Sequence, residues 1–140
     1  MEQTFSQIAK IRKQKLDTIE SQLLHVRRQK QDAQKELTAL FEKIEKCNVP
    51  KAGKASLMSI FVENLRLLRV QKTACEALFA KLIQEFEQLQ KAYKDANIEL
   101  EKIRYLQQMA YKERIKKINK REKIEMDEIA TMLFSNAKGG

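Results

Sequence analysis

Apolar positions recur along the chain at alternating steps of three and four residues. Leu16, Ile19, Leu23, Val26, Lys30, Ala33, Leu37, Leu40, Ile44 and Cys47 form one such run, with Lys30 its single charged member. Phe61, Leu65, Leu68, Lys72, Cys75, Phe79, Leu82, Phe86, Leu89, Tyr93, Ala96, Leu100 and Ile103 form a second, again with one lysine. A stripe that alternates in this way is the a/d seam of a coiled-coil helix, so the pattern predicts two long helices, one over about 5–47 and one over about 57–134. From Ile103 to Tyr111 the step is eight, two fours in succession, which predicts a stutter that locally unwinds the supercoil. Tyr111, Ile115 and Ile118 resume the stripe, which then thins until Ile129 and Met132.

One segment interrupts the pattern. Lys46 to Ser56 contains the sole proline, Pro50, and the sole internal glycine, Gly53. It reads as a hairpin tip over 48–56, with Asn48 ending the first helix in a left-handed conformation, Pro50 blocking its continuation and Ser56 capping the second. A short tip forces the helices antiparallel, so facing residues should have numbers that sum to roughly 104, which sets Phe5 beside Glu99. At about 1.5 Å per residue the helices are roughly 64 and 117 Å long, and about 35 residues of the second lack a partner. The expected fold is all-α: a single elongated antiparallel two-helix coiled coil over 1–140, with an overhanging C-terminal helix and a disordered tail at 135–140.

Composition agrees with this reading. Three glycines and one proline in 140 residues leave too little turn-forming material for a many-stranded fold, and 34% charged residues with no tryptophan suit long helices. The formal charge of +9 calls for an acidic partner surface. That charge is uneven: residues 57–100 hold six basic and six acidic groups, 1–56 hold twelve and seven, and 101–140 hold ten and six. Lys10, Arg12, Lys13 and Lys15 form one basic cluster and Lys112, Arg114, Lys116, Lys117, Lys120, Arg121 and Lys123 another, both at the open end of the hairpin. Met1 to Phe5 lacks the basic and apolar regions of a secretory signal, and no apolar run approaches a membrane span, so a cytosolic protein is expected.

Most of the apolar residues need no purpose beyond burial in the seam. Lys30 and Lys72 do need an account: the expected register puts them in neighbouring layers, where they would snorkel outward, toward Asp32 or Glu76. Leu57, Met58, Ile60, Val62, Leu67, Val70, Ala74, Ala77, Leu78 and Ile83 add apolar surface beside the seam, and Phe41 flanks it on the first helix. One partner helix cannot cover all of that, so a protein contact is expected near the tip. Cys47 and Cys75 have no metal-site spacing and His25 lies on the polar face. No phosphate loop, HExxH or GxSxG is present, which points away from an enzyme and from any cofactor.

The hairpin, its basic overhang and the closing segment Lys123-Ile124-Glu125-Met126-Asp127-Glu128-Ile129-Ala130 resemble the FliJ family of flagellar type III export proteins. The closing pattern is a basic residue followed by Met or Leu, Asp, Glu, an apolar residue and Ala. It is met by Met126, Asp127, Glu128, Ile129 and Ala130. Phe61, Leu65, Leu68 and Lys72 match a second family stripe near the tip. The resemblance implies a soluble component of the flagellar export apparatus, at the periphery of the basal body, folded like the two-helix stalk of a rotary ATPase gamma subunit.

It further implies three partners: the export ATPase ring, the cytoplasmic region of the export-gate membrane protein, and export chaperones. Gate binding falls to Leu37, Leu40, Phe41, Ile44, Ile60, Phe61, Leu65, Leu67, Leu68 and Lys72. ATPase binding falls to Lys10, Arg12, Lys13, Lys112, Ile115, Lys116, Lys117, Ile118, Lys120, Arg121, Met126, Asp127, Glu128 and Ile129. Neither nucleic acid nor direct membrane insertion is expected. Two other classes fit the residues: a homodimeric coiled-coil scaffold whose overhangs pair, and a basic coiled coil that binds nucleic acid. For the latter, Tyr105 and Tyr111 are too few to make a stacking platform.

Overall fold

The computed structural model describes residues 1–50 and 55–139. Two helices account for nearly all of them, α1 over Glu2–Glu45 and α2 over Ala55–Gly139, packed antiparallel. By internal packing the chain divides into two compact units, Met1–Lys15 with Ala96–Gly140 and Leu16–Asp95.

The termini of the helices differ from expectation. Helix α1 begins at Glu2, with that carboxylate in the first turn where the helix dipole favours it and Phe5 N–H donating to Met1 O at 3.0 Å. At its other end Lys46 N–H donates to Glu42 O at 3.0 Å and Cys47 N–H to Ile44 O at 3.2 Å, a tightened last turn. Asn48 has no left-handed backbone, since no described non-glycine residue has a positive φ. Helix α2 already includes Ser56, so this residue is no cap, and the helix runs to Gly139 through most of the tail expected to be disordered. The rest of the tip expected at 48–56, Lys51 to Lys54, lies outside the described residues.

In the unit Leu16–Asp95 the two seams are the interface. Leu16, Ile19, Val26, Ala33 and Leu40 of α1 and Cys75 and Leu82 of α2 are buried. The remaining seam positions, from Leu23 to Cys47 and from Phe61 to Tyr93, are half-buried. Val26, Ala33 and Leu82 pack together with Phe79, Phe86 and Leu89 against them, so a small residue, Ala33, makes room for large rings. The Cys75 thiol donates to Ala33 O at 3.4 Å, and burial, followed by the charges of Glu36 and Glu76, raises its pKa above the usual thiol range. Cys47 is only half-buried. A maleimide at neutral pH is therefore expected to label Cys47 at least about tenfold faster than Cys75, because the thiolate is the nucleophile; equal rates by mass spectrometry would contradict this packing.

In the unit built from Met1–Lys15 and Ala96–Gly140, the core is Ala96, Leu100 and Ile103, with Leu100 only 2% exposed. Arg12 donates to Glu99 O at 2.9 Å and lies 3.6 Å from its carboxylate, and Glu2 reaches Arg114 at 3.3 Å. Here the break in phase lies further along than the apolar pattern puts it. After Ile103 the half-buried positions are Gln107, Ala110 and Ile115, so the alternation of four and three holds as far as Ala110 and breaks at the step of five that follows, while Tyr111 is exposed. A polar glutamine and a small alanine carry the seam through the stretch that looked empty.

The register also differs. Arg12 with Glu99, Ala33 with Cys75, and Phe41 with Lys72 give sums of 111, 108 and 113 in place of roughly 104, a displacement of about one heptad. Phe5 consequently lines a groove with Leu106, Met109, Ala110, Lys112, Glu113 and Lys116, well past Glu99. The overhang of α2 starts after about Lys116 and is shorter than expected. Conversely, positions opposite the first turns of α2, as far as about Leu65, would lie beyond Glu45, where α1 has ended.

Candidate functional site

Two unpartnered stretches of α2 follow from this register, and the residues assigned to partners divide between them. Near the tip, Leu37, Leu40 and Ile44 of α1 and Phe61, Leu65, Leu68 and Lys72 of α2 are buried or half-buried seam positions. Phe41, Ile60 and Leu67 stand outside the seam and are 44%, 58% and 46% exposed. Leu57, Met58 and Val62 are exposed as well, so the opening turns of α2 present a broad apolar surface, interrupted by Ser59, Glu63 and Asn64, on which Phe61 and Leu65 are half-buried. Exposed apolar surface of that breadth marks a protein contact.

Lys72 and Phe41 form one element of this surface. The Lys72 ammonium lies 4.3 Å from the centroid of the Phe41 ring and 3.7 Å from Glu76 Oε1, so the snorkelling toward Glu76 is present and is joined by a cation–π contact. Lys30 turns elsewhere than toward Asp32: its ammonium lies 4.9 Å from the centroid of Phe86. The two lysines are not in neighbouring layers, because the register carries each to a separate ring.

A further surface along α2 was only partly legible in the sequence. Val62, Leu65, Val70, Ala74 and Ala77 line a shallow groove together with Arg66, Arg69 and Thr73. Val62, Val70, Ala74 and Ala77 belong to the surplus surface that the sequence predicts and Leu65 to the seam; the two arginines that border the groove are in neither set. Arg66 donates to both carboxylate oxygens of Glu63, at 3.1 and 2.6 Å, which holds that carboxyl below its usual range and raises the guanidinium. Both side chains are exposed, so the pair orders this rim without adding appreciable stability.

At the open end the basic residues do not form one uniform patch. Arg12, assigned to the ATPase, is held by Glu99 and clamps α1 to α2. Lys10 is exposed, and Lys13 has an interaction of its own. Lys112 and Lys116 border the groove that contains Met1 and Phe5, and Arg114 is tied to Glu2 and lies 5.3 Å from the centroid of Tyr111. Ile115 is half-buried. Beyond Lys116, Ile118, Lys120, Arg121, Met126, Asp127, Glu128 and Ile129 are all exposed on a single helix, with Met126 67% exposed. Local contacts sustain that helix: Lys117 reaches Glu113 at 3.8 Å in the favoured i,i+4 order, and Thr131 donates to Asp127 O at 2.8 Å.

The overhang has a charge sequence of its own. Lys117 to Lys123 is basic, Glu125 to Glu128 is acidic, and Ile129 to Phe134 is mostly apolar. Among the described residues no group of three or more His, Cys, Asp and Glu side chains could hold a metal ion, and no helix is long and apolar enough to cross a membrane. The arrangement offers docking surfaces at two separate places along α2.

Comparison with known proteins gives the family. The family model described as flagellar FliJ protein matches residues 1–139. No curated protein and no solved structure is significantly similar to the chain. With a match that spans almost every residue, and with two antiparallel coiled-coil helices, the chain belongs to the flagellar FliJ family.

Proposed function

We propose that this protein is the coiled-coil stalk of a flagellar type III export apparatus, coupling the export ATPase ring to the export gate and handling export chaperones at the periphery of the basal body. The observation that carries the proposal is the pair of exposed stretches on α2, the apolar opening turns in the unit Leu16–Asp95 and the overhang in the unit built from Met1–Lys15 and Ala96–Gly140. A coupling element needs two docking surfaces, and each of the two units carries one. In this reading the apolar tip surface takes the gate's cytoplasmic region. The open end, with exposed cations followed by an apolar stripe, takes the ring.

The test is a pull-down of the intact chain with the purified ATPase and with the soluble cytoplasmic region of the gate protein, separately and together. Binding to each, and a ternary complex when both are present, is the expected result. Mutual exclusion of the two partners would sink the coupling role. A chain that binds neither but runs at twice its mass in solution would favour the homodimeric scaffold.

A further inference from the structure

Within the unit Leu16–Asp95 the seams admit more than one antiparallel pairing, because a slide of one heptad returns every a and d position to the interface. A tight connection between the helices favours sums near 104; the protein sets Ala33 against Cys75 and Phe41 against Lys72 instead. The two seam lysines distinguish these registers. With sums near 104, Lys30 falls opposite the layers of Lys72 and Cys75, and Lys72 opposite those of Lys30 and Ala33. Two ammonium groups would then share adjacent layers of an apolar interface, where each raises the cost of desolvating the other.

One heptad away that conflict is gone. Lys30 of α1 lies over Phe86 of α2, and Lys72 of α2 lies over Phe41 of α1 and reaches Glu76. The exchange is reciprocal: each helix supplies one lysine and one ring, so each cation keeps a favourable partner while its stem fills the seam. We propose that Lys30 and Lys72 are positioning residues that lock this unit in its register, and that without them a second register, displaced by one heptad or about 10 Å, becomes populated. The lock governs display of the tip surface. In the displaced register the end of α1 would face about residue 59 of α2, where it now faces about residue 66, and most of the free apolar turns would be covered. The inference rests on packing and holds whichever partner the tip receives.

Native Cys75 can report the register. In a Cys47→Ser background, Ala33→Cys stands where Ala33 O now meets the Cys75 thiol at 3.4 Å, and Val26→Cys, one heptad earlier, meets Cys75 only after the slide. With both lysines present, oxidation should join Cys75 within one chain to the cysteine at 33 and not to that at 26, as read by mobility on a non-reducing gel. Adding Lys30→Met and Lys72→Met should raise the Val26→Cys cross-link by about tenfold or more, the scale expected for relief of a buried like-charge conflict. Lys30→Arg with Lys72→Arg should restore the original pattern, since a guanidinium keeps the charge and stacks on a ring. An unchanged Val26→Cys cross-link in the methionine variant overturns the proposal, and so does an abundant one when both lysines are present. Methionine adds apolar surface to the seam, so circular dichroism should show helicity retained. A loss of helix would also overturn the proposal, because the lysines would then serve the fold and not its register.

Discussion

A chain ended at Lys116 is expected to lose all stimulation of ATP hydrolysis by the export ring while retaining its affinity for the gate. The site of the cut follows from packing. Residues as far as Lys116 line the groove that holds Met1 and Phe5, and Arg114 is tied to Glu2, so a cut before Lys112 would strip cover from α1 and confuse loss of a partner with loss of structure. Beyond Lys116 the helix has no α1 beside it, so its removal should leave thermal stability nearly unchanged, within about 0.5 kcal/mol, as for other surface changes. What leaves with it is the exposed set Lys117, Ile118, Lys120, Arg121, Met126 and Ile129. Cations steer association and are screened by salt, whereas apolar docking is not, so the intact chain should bind the ring more weakly at high salt but with measurable residual affinity. If the truncated chain still stimulates the ring fully, the overhang has no part in coupling. If it instead loses the gate and keeps the ring, the two ends have been assigned the wrong way round.

The seams were legible in the sequence for a simple physical reason. Burial along a straight, long interface depends only on period, and each position of the two runs, ten from Leu16 to Cys47 and thirteen from Phe61 to Ile103, is buried or half-buried. Register was not legible, because the heptad pattern is unchanged by a slide of seven, and what separates the alternatives is where Lys30 and Lys72 find rings across the interface. The pairing of Arg12 with Glu99 depends on the same register and was missed with it. The stutter falls between Ala110 and Ile115, not between Ile103 and Tyr111. A search for apolar side chains passes over Gln107 and Ala110 and lands on Tyr111, although packing near the start of α1 accepts a small or amphipathic group and leaves the tyrosine outside. Of the candidate site, the apolar surplus beside the tip was visible as composition on too many faces of one helix. Its continuation over the opening turns of α2 became visible only once α1 was seen to end at Glu45.

The cleanest probes of the tip surface are the exposed apolar residues, because seam residues answer two questions at once. Leu40 is 5% exposed, and its truncation to alanine should cost about 2–5 kcal/mol through lost burial and a cavity, whatever binds the protein. Ile60 and Leu67 lie seven residues apart on one outward face of α2, with more than half and nearly half of their surface in water. Replacing both by serine should therefore change stability by no more than about 0.5 kcal/mol each and leave helicity intact. If the gate covers this face, the loss at the interface is of another size. Two well-covered aliphatic anchors at the centre of a contact contribute about 1–2 kcal/mol each or more, so the double variant should bind at least roughly thirtyfold more weakly. Phe41→Ala adds a third reading, since it removes the ring beneath Lys72 and should weaken binding further if that lysine is presented to the partner. Titration calorimetry with the gate's cytoplasmic region, alongside thermal melts of the same variants, separates the two effects. Affinity that follows the melting temperature and ignores Ile60 and Leu67 would mean that the exposed apolar turns of α2 serve some partner other than the gate.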